Sequence, residues 1–435
     1  MDENVVERMR SDWNERAKED AHYYVAFGRH DQDEAEFYAT GAEVVKGLEW
    51  EMKRLPCGVD RRTRRALEIG CGPGRLMKPM SAHFGEIHGV DISTDMIALA
   101  KARLLGVGHA HAHVAVNSDL GAFASESFDL VYSYAVFQHI PSREVVMNYL
   151  SEAHRVLRVG GLLRCQINGL PEAAAHYDTW SGVRIAGADV GAFCKAHDLQ
   201  LLALEGEKTQ YMWMTAIKRE RGWYAAHGRP LVVPRIRRIT NAHSSEPVAP
   251  SRGRFACLSL WVEDLAEAAD LLDFEVRIGG VCTTIFYIGA AERDGLVQVN
   301  VRLPEAVATG MQTVTLGWRG EAWGQAGAVR IIAPPPLVPR IIALSDGVNL
   351  MSGTRLVTGS VKVTVEEMTD LEAFTADVDG VAVTGIDHFC TDPVPPRYEV
   401  NFQIPEAVTA GAHVLRMRVG ERHLGAQVVE VVRGT

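Results

Sequence analysis

The sequence predicts an α/β domain with a mostly parallel sheet, followed by two all-β sandwich domains. Two observations carry that prediction. A glycine-rich strand-to-helix turn at residues 66–74 is followed by alternating apolar strands, acids and helices, and the C-terminal half contains an internal repeat at a constant offset of 101 residues. With 435 residues and an apolar fraction of 47%, the chain is too long for one ordinary domain and apolar enough for several cores.

Residues 1–60 read as a helical cap. Trp13, Ala17, Tyr24 and Phe27, then Phe37, Val44, Val45 and Leu48, recur near helical spacing. Next, Ala66-Leu67-Glu68-Ile69 forms a short strand that runs into Gly70, Gly72 and Gly74, and a helix is expected from Arg75 to Phe84. Glycine there removes the Cβ atoms that would hold the backbone away from a ligand and permits φ > 0 in a tight turn. A dinucleotide fingerprint, G-x-G-x-x-G, would need its third glycine where Arg75 stands, which speaks against an NAD-dependent oxidoreductase.

Strand-like Ile87–Val90 ends in Asp91, about 20 residues after the first glycine, where a carboxylate can accept the hydroxyls of a ribose. Ser93 caps the following helix, whose Met96, Ile97, Leu99 and Ala100 are spaced for packing on a sheet. Val114–Val116, Asp119-Leu120 and Ser127–Ser133 continue the pattern. Taken singly, Asp91 also reads as a helix cap and Asp119 as a solvated loop acid.

In this order the residues resemble the class I S-adenosylmethionine-dependent methyltransferases of the type 11 or 12 group, over residues 10–220. Glu68-x-Gly70-x-Gly72-x-Gly74 matches that family's first motif, whose backbone faces the methionine end of the cofactor. Asp91 matches the ribose-binding acid, Ile92 the apolar neighbour of the adenine, and Asp119-Leu120 the pair that meets the adenine amino group and ring nitrogen. Glu152–Gly161 matches the helix-to-turn segment, with Val159 where proline is usual. The resemblance implies a Rossmann-like domain over 61–220, with a seven-stranded mostly parallel sheet ending in an antiparallel strand, and S-adenosyl-L-methionine as cofactor. It also implies that the N-terminal helix covers the cofactor and helps build the acceptor pocket.

The formal charge of −10 argues against partners that need a basic face, nucleic acid or an anionic membrane. Arg61–Arg65 is a local exception and reads as a solvated loop. No run of about 18 apolar residues occurs. The seven cysteines form no C-x-x-C pair and suit a reducing cytoplasm, so a cytoplasmic location is expected. His109, His111 and His113 alternate as an exposed strand face does, and no metal site is expected.

The repeat pairs Val299–Gly310 with Val400–Gly411, identical at seven of twelve positions. A period of this length is a duplicated domain. Alternating segments such as Val297–Val301, Thr313–Leu316 and Val414–Val419, separated by turns, argue for antiparallel sandwiches. The pattern resembles the immunoglobulin-like modules of the IPT/TIG type. The boundaries expected are 234–334 and 338–435, with 221–233 as a linker and Pro334–Pro336 as a stiff joint. Neither copy carries catalytic spacing, so both read as spacers or as modules that bind a protein or polymer partner.

Methyl transfer from a sulfonium needs alignment and exclusion of water more than covalent help. An acceptor hydroxyl also needs a base, and His139 in Phe137-Gln138-His139 is the catalytic candidate; a histidine here can equally pack or orient the loop. Tyr23, Tyr24, Tyr134 and Trp180 are candidates for the substrate pocket, with Tyr211 and Trp213 behind them. The function expected is O-methylation of a small-molecule or glycan-like acceptor. The alternative is an S-adenosylmethionine-binding scaffold whose β modules recruit a partner or polymer.

Overall fold

Apolar runs that end in acids or glycines become the strands of the first sheet. They are β1 (Arg65–Ile69), β2 (Glu86–Asp91), β3 (Ala110–Val114), β4 (Phe128–Ser133), β5 (Leu157–Ile167), β6 (Leu199–Glu205) and β7 (Met212–Lys218). Their spatial order is β3-β2-β1-β4-β5-β7-β6, parallel except for β7, which runs antiparallel to both neighbours. Helices cover both faces, as parallel strands require. The helices among the described residues are α1 (Glu3–Ala26), α2 (Glu34–Ala39), α3 (Ala42–Glu51), α4 (Met77–Met80), α5 (Thr94–Arg103), α6 (Arg143–Val156), α7 (Gly187–Ala196) and α8 (Trp223–Ala226), of which α1 and α3 to α7 pack on this sheet. Val6 and Met9 of α1, with α6 and α7, bury Leu67, Val131 and Leu163 on one face; α3, α4 and α5 bury Ala66, Leu130 and Ile87 on the other.

This computed structural model describes residues 3–26, 30–172, 176–348, 353–368, 370–392 and 396–432; Phe27 lies outside them. The chain divides into two units, one of Met1–Glu19 with Tyr38–Pro334 and the other of Asp20–Phe37 with Pro335–Thr435. Helix α1 belongs to both, because its backbone breaks from helical geometry at Asp20 (φ −164°, ψ 91°). The Asp20 carboxylate there accepts from the N–H groups of Tyr23 and Asp31.

The sheet does not stop at seven strands. The first β domain contains β8 (Arg235–Asn241), β9 (Val248–Pro250), β10 (Cys257–Glu263), β11 (Phe274–Ile278), β12 (Val281–Cys282), β13 (Thr284–Ile288), β14 (Val297–Arg302), β15 (Gly310–Trp318), β16 (Glu321–Ala322) and β17 (Gly327–Ile332). Strand β13 pairs antiparallel with β6, Tyr287 opposite Ala203, so the order continues β6-β13-β14-β10-β8 into one sheet of eleven strands. This corrects the expectation of a separate seven-stranded sheet. Unpaired N–H and C=O groups at a strand edge are a template for another strand, and β13 joins that edge at Ala203. A second sheet, β12-β11-β15-β17-β9 with β16 beside β15, closes the domain over Leu258, Val276, Val299, Val314 and Trp323.

Residues 221–233 are likewise not a free linker. Asp198 caps α8 by accepting from the N–H groups of Gly222 (2.7 Å) and Tyr224 (3.1 Å). The Tyr224 hydroxyl reaches the buried Asp270 carboxylate at 2.5 Å and the Leu199 carbonyl at 3.0 Å. Gln200 adds bonds from its side-chain amide to the carbonyls of Glu267 and Ala269. These contacts lock the first β domain onto β6.

The second unit has a four-stranded sheet, Arg340–Asp346, Ser360–Glu366, Arg397–Gln403 and Thr384–Asp392, and a five-stranded one that share a core around Val363, Phe374, Phe402 and Leu415. The two copies of the repeated segment fold alike: a strand, a turn closed by Val307 N–H to the Pro304 carbonyl or Val408 N–H to that of Pro405, and a strand opening at Gly310 or Gly411. Replacing Tyr224 by Phe strips the buried Asp270 carboxylate of its hydroxyl donor and should lower unfolding free energy by about 1–3 kcal/mol in urea titration. A loss under about 0.5 kcal/mol would refute this account of the seam.

Candidate active site

The turn after β1 is clipped to the end of β2. The N–H groups of Gly70 and Cys71 both donate to the Val90 carbonyl, at 2.8 and 3.0 Å, and the Gly72 N–H donates to Asp91 Oδ2 at 2.9 Å. Gly70 and Gly72 have φ of 71° and 50°, the left-handed region, and a Cβ on Gly70 would lie 2.2 Å from a methyl of Val136. The helix expected from Arg75 to Phe84 shrinks to α4 and a 3₁₀ turn at Ser81–His83, since Pro79 supplies no N–H to a longer ladder.

Asp91 Oδ1 accepts from the Ser93 N–H at 2.9 Å, and burial raises its carboxyl above the usual carboxylate range. The Ile92 N–H is a third backbone donor to this carboxylate, which has about four lone-pair sites and so keeps room for a further donor. A vicinal diol is the kind of group that would supply it. Glu68 lies buried beneath the turn and accepts from the Tyr132 hydroxyl at 2.9 Å. Burial pushes its carboxyl up to about 8, against the opposing effects of Tyr132 and the Arg75 guanidinium.

Ile92 is buried, and its carbonyl accepts from Arg10 Nε at 3.3 Å. Asp119 is exposed, and its two oxygens accept from the Gly121 N–H and the Asn117 side-chain amide. Leu120 is buried, but its N–H donates to Glu152 Oε2 at 2.8 Å, and Arg155 Nη2 holds that same carboxylate oxygen at 2.8 Å. This departs from the expectation of an amide offered to an adenine ring nitrogen: the chain's own carboxylate already takes it.

Helix α1 supplies residues whose role the sequence did not announce. Arg10 also bonds the carbonyls of Ala115 and Val116, and Asn14 Oδ1 accepts from the Ser93 hydroxyl at 2.7 Å. Arg16 donates to the Thr179 carbonyl, and the Thr179 hydroxyl donates to Asp12 at 2.6 Å. Together they lay the start of α1 over the ends of β2 and β3. Polar residues at helical spacing are indistinguishable in sequence from a solvated face, which is why they were missed.

His139 is 4% exposed. Its Nδ1 lies 3.1 Å from the Trp180 carbonyl, so that nitrogen carries the proton, and Nε2 lies 3.2 Å from the Gln138 side-chain nitrogen. Burial holds His139 down to about 4, so the ring is neutral at physiological pH. Trp13 meets it edge-on at 5.6 Å. Gln138 is buried and its Oε1 has no hydrogen-bond partner, an acceptor left open one residue from the histidine. Trp180 is half exposed, with the Arg16 guanidinium 5.6 Å from its ring.

Tyr134 stacks on Trp213 with ring centroids 5.6 Å apart and an interplanar angle of 4°. Arg75 lies against the Tyr134 ring and Arg164 against that of Trp213, at 5.4 and 4.6 Å. The stack lines a cleft of about 370 Å³ with Tyr211, Gln166 and α3 residues Val44 and Gly47. Tyr23 and Tyr24 are not among its lining: both belong to the other unit, where the Tyr23 hydroxyl donates to the Val348 carbonyl and its ring stacks on His30. His113, expected on an exposed face, bonds the buried His88 ring at 3.0 Å. Among the described residues no three His, Cys, Asp or Glu side chains are placed to hold a metal ion.

Residues 67–165 match the model of the family described as a methyltransferase domain. Over this segment the chain is similar to methyltransferases. The ubiquinone biosynthesis O-methyltransferase of Sinorhizobium fredii is 37% identical over 112 residues, 26% of this chain and 44% of that protein. The trans-aconitate 2-methyltransferase of Rhizobium leguminosarum bv. trifolii is 31% identical over 131 residues, covering 28% and 48%. The chain spans about half the length of the curated relatives it matches. Among solved structures, geranyl diphosphate C-methyltransferase from Streptomyces coelicolor A3(2) aligns with 50% of this chain and all of its own, at 16% identity and a TM-score of 0.38.

Glu68 generates a prediction about the methyltransferase domain. In the folded protein it stays protonated up to about pH 8, while the unfolded chain ionises near 4.5. Stability therefore falls as pH rises between those values, by up to about 1.4 kcal/mol per unit. Glu68→Gln, which keeps the acceptor for Tyr132, should match wild type near pH 4.5 and exceed it in Tm progressively up to pH 8. A Tm difference that does not change with pH would contradict the buried protonated carboxyl.

Proposed function

We propose that the chain transfers a methyl group from S-adenosylmethionine to an oxygen atom of a small-molecule or glycan-like acceptor. The observation that carries the reading is the glycine turn pinned to Asp91, a carboxylate left with room for a further donor at the end of β2, inside the segment that matches the methyltransferase model. The O-methyltransferase names of the relatives support oxygen as the accepting atom.

In this reading the backbone of Gly70–Gly74 faces the methionine end, Asp91 takes the ribose hydroxyls, and Ile92 and Leu120 flank the adenine. With the Leu120 N–H held by Glu152, the adenine edge falls to the Asp119 carboxylate. The cofactor supplies a methyl group on a positively charged sulfur, open to in-line displacement. The chain aligns the acceptor and keeps water out, and α1 provides the cover through Arg10 and Asn14. His139, its proton fixed on Nδ1, offers the Nε2 lone pair to an acceptor hydroxyl once Gln138 yields it; Tyr134 and Trp180 flank the acceptor. Both β domains are immunoglobulin-like modules of the IPT/TIG type in this reading, and the seven cysteines, all unpaired, suit the cytoplasm.

Calorimetric titration with S-adenosylhomocysteine, with NAD as control, tests the cofactor. Binding to the first alone is expected, and Asp91→Ala should weaken it by about 10- to 100-fold, the worth of hydrogen bonds to a charged group. Binding of NAD, or no effect of the substitution, would refute the reading. His139→Gln should lower kcat by about 10²- to 10⁴-fold without changing S-adenosylhomocysteine affinity. The wild-type rate should show no loss from His139 as pH falls from 8 to 5.5, because the ring stays neutral to about 4.

A further inference from the structure

Cross-strand neighbours form one row over a single face of the eleven-stranded sheet. It reads Glu68, Tyr132, Arg164, Thr215, Ala203, Tyr287, Asn300, Ser259 and Thr240, each opposite the next. The row leads from beneath the glycine turn into the first β domain. Two clefts lie along it. The first, of about 370 Å³, carries the Tyr134–Trp213 stack; the second, of about 300 Å³, is lined by Trp50, Glu205, Tyr287, Gln298 and Asn300. They share Gly47 of α3 and Arg164, so they meet end to end. The Trp50 indole N–H donates to the Tyr287 hydroxyl at 2.9 Å and ties α3 to the first β domain over the second cleft.

We propose that these clefts are one acceptor groove, that its occupant is a neutral oligosaccharide, and that Gln298 and Asn300 of the first β domain are part of the binding site. This rests on the methyltransferase reading above. The lining combines the exposed Tyr211 and Trp50 rings, one face of Trp50 being covered by Lys53 Nζ at 3.4 Å, with amide and carboxylate groups that pair with vicinal hydroxyls. Glu43, Glu51 and Glu205 stand against Arg164, whose charge Glu205 already meets at 2.9 Å, so a polyanion is disfavoured. Asn300 and Gln298 are ordered in advance: Asn300 Oδ1 accepts from Ser259 Oγ at 2.8 Å and from Gln298 Nε2 at 2.9 Å. Two adjoining clefts of about 370 and 300 Å³ favour several sugar units over one.

The test uses the full chain and hexasaccharides of glucose, mannose and galactose, each compared with its monosaccharide, with S-adenosylhomocysteine titrated in parallel. At least one hexasaccharide should bind about tenfold or more tighter than its monosaccharide, and Asn300→Ala and Tyr211→Ala should each erase that gain while S-adenosylhomocysteine affinity stays unchanged. Equal affinity for hexasaccharide and monosaccharide, a gain that survives both substitutions, or no sugar bound by protein that binds S-adenosylhomocysteine overturns the groove and leaves the methyltransferase reading standing. A hexasaccharide bound without S-adenosylhomocysteine upholds the groove and overturns the methyltransferase reading instead.

Discussion

The pairing of β6 with β13 joins the methyltransferase domain and the first β domain into one sheet. In a Rossmann-like sheet the antiparallel hairpin at the end leaves a strand with one unpaired side, and such a side attracts another strand or must be shielded. Here it is extended by four strands of the following domain. Tyr224, Asp270 and Gln200 hold the junction from the sides, and buried hydrogen bonds of this kind are expensive to break singly because each leaves a polar group without water or a partner. The strand junction itself is the single pair Tyr287 and Ala203, and the side-chain contacts around it carry the rest of the seam. A face that would otherwise end at Ala203 continues from there as far as Thr240.

That floor is polar along one row, which is unusual for a sheet covered by helices. Each polar group in it has an answer from a neighbour: Glu68 from Tyr132, Arg164 from Thr215 and Glu205, Asn300 from Ser259. At the other end of the site the same economy of partners holds the glycine turn, where Val90 and Asp91 take three consecutive N–H groups of the loop.

The elements most legible in the sequence were those whose signal is local. Strands β1, β2 and β4 are short apolar runs bounded by acids or glycines, and Ser93 caps a helix where a hydroxyl precedes an apolar periodic run. The duplicated segment announced itself by identity. What escaped is settled by contacts far apart in sequence. Nothing in Thr284–Ile288 distinguishes an inner strand from an edge one, and nothing in 221–233 announces that Tyr224 meets Asp270. The break at Asp20, beyond which Tyr23 and Tyr24 belong to the other unit, involves a carboxylate accepting from Asp31, eleven residues on. In the candidate site, the glycine turn and the strand that ends at Asp91 were legible from spacing, whereas the contacts of Arg10, Asn14 and Gln138 were not, and the capture of the Leu120 N–H by Glu152 is visible only in three dimensions.

The duplication puts one strand in two situations. In the first β domain it is β13, Thr284–Ile288, apolar enough to lie between two neighbours. In the second unit its counterpart, Thr384–Asp392, is the last strand of its sheet. That copy carries Asp387, His388 and Asp392 and loses register with its partner at two places. Charges and irregular spacing make an edge a poor template for further strands. The two copies of one repeated strand thus differ in what they present, one apolar and paired on both sides, the other charged, irregular in register and last in its sheet.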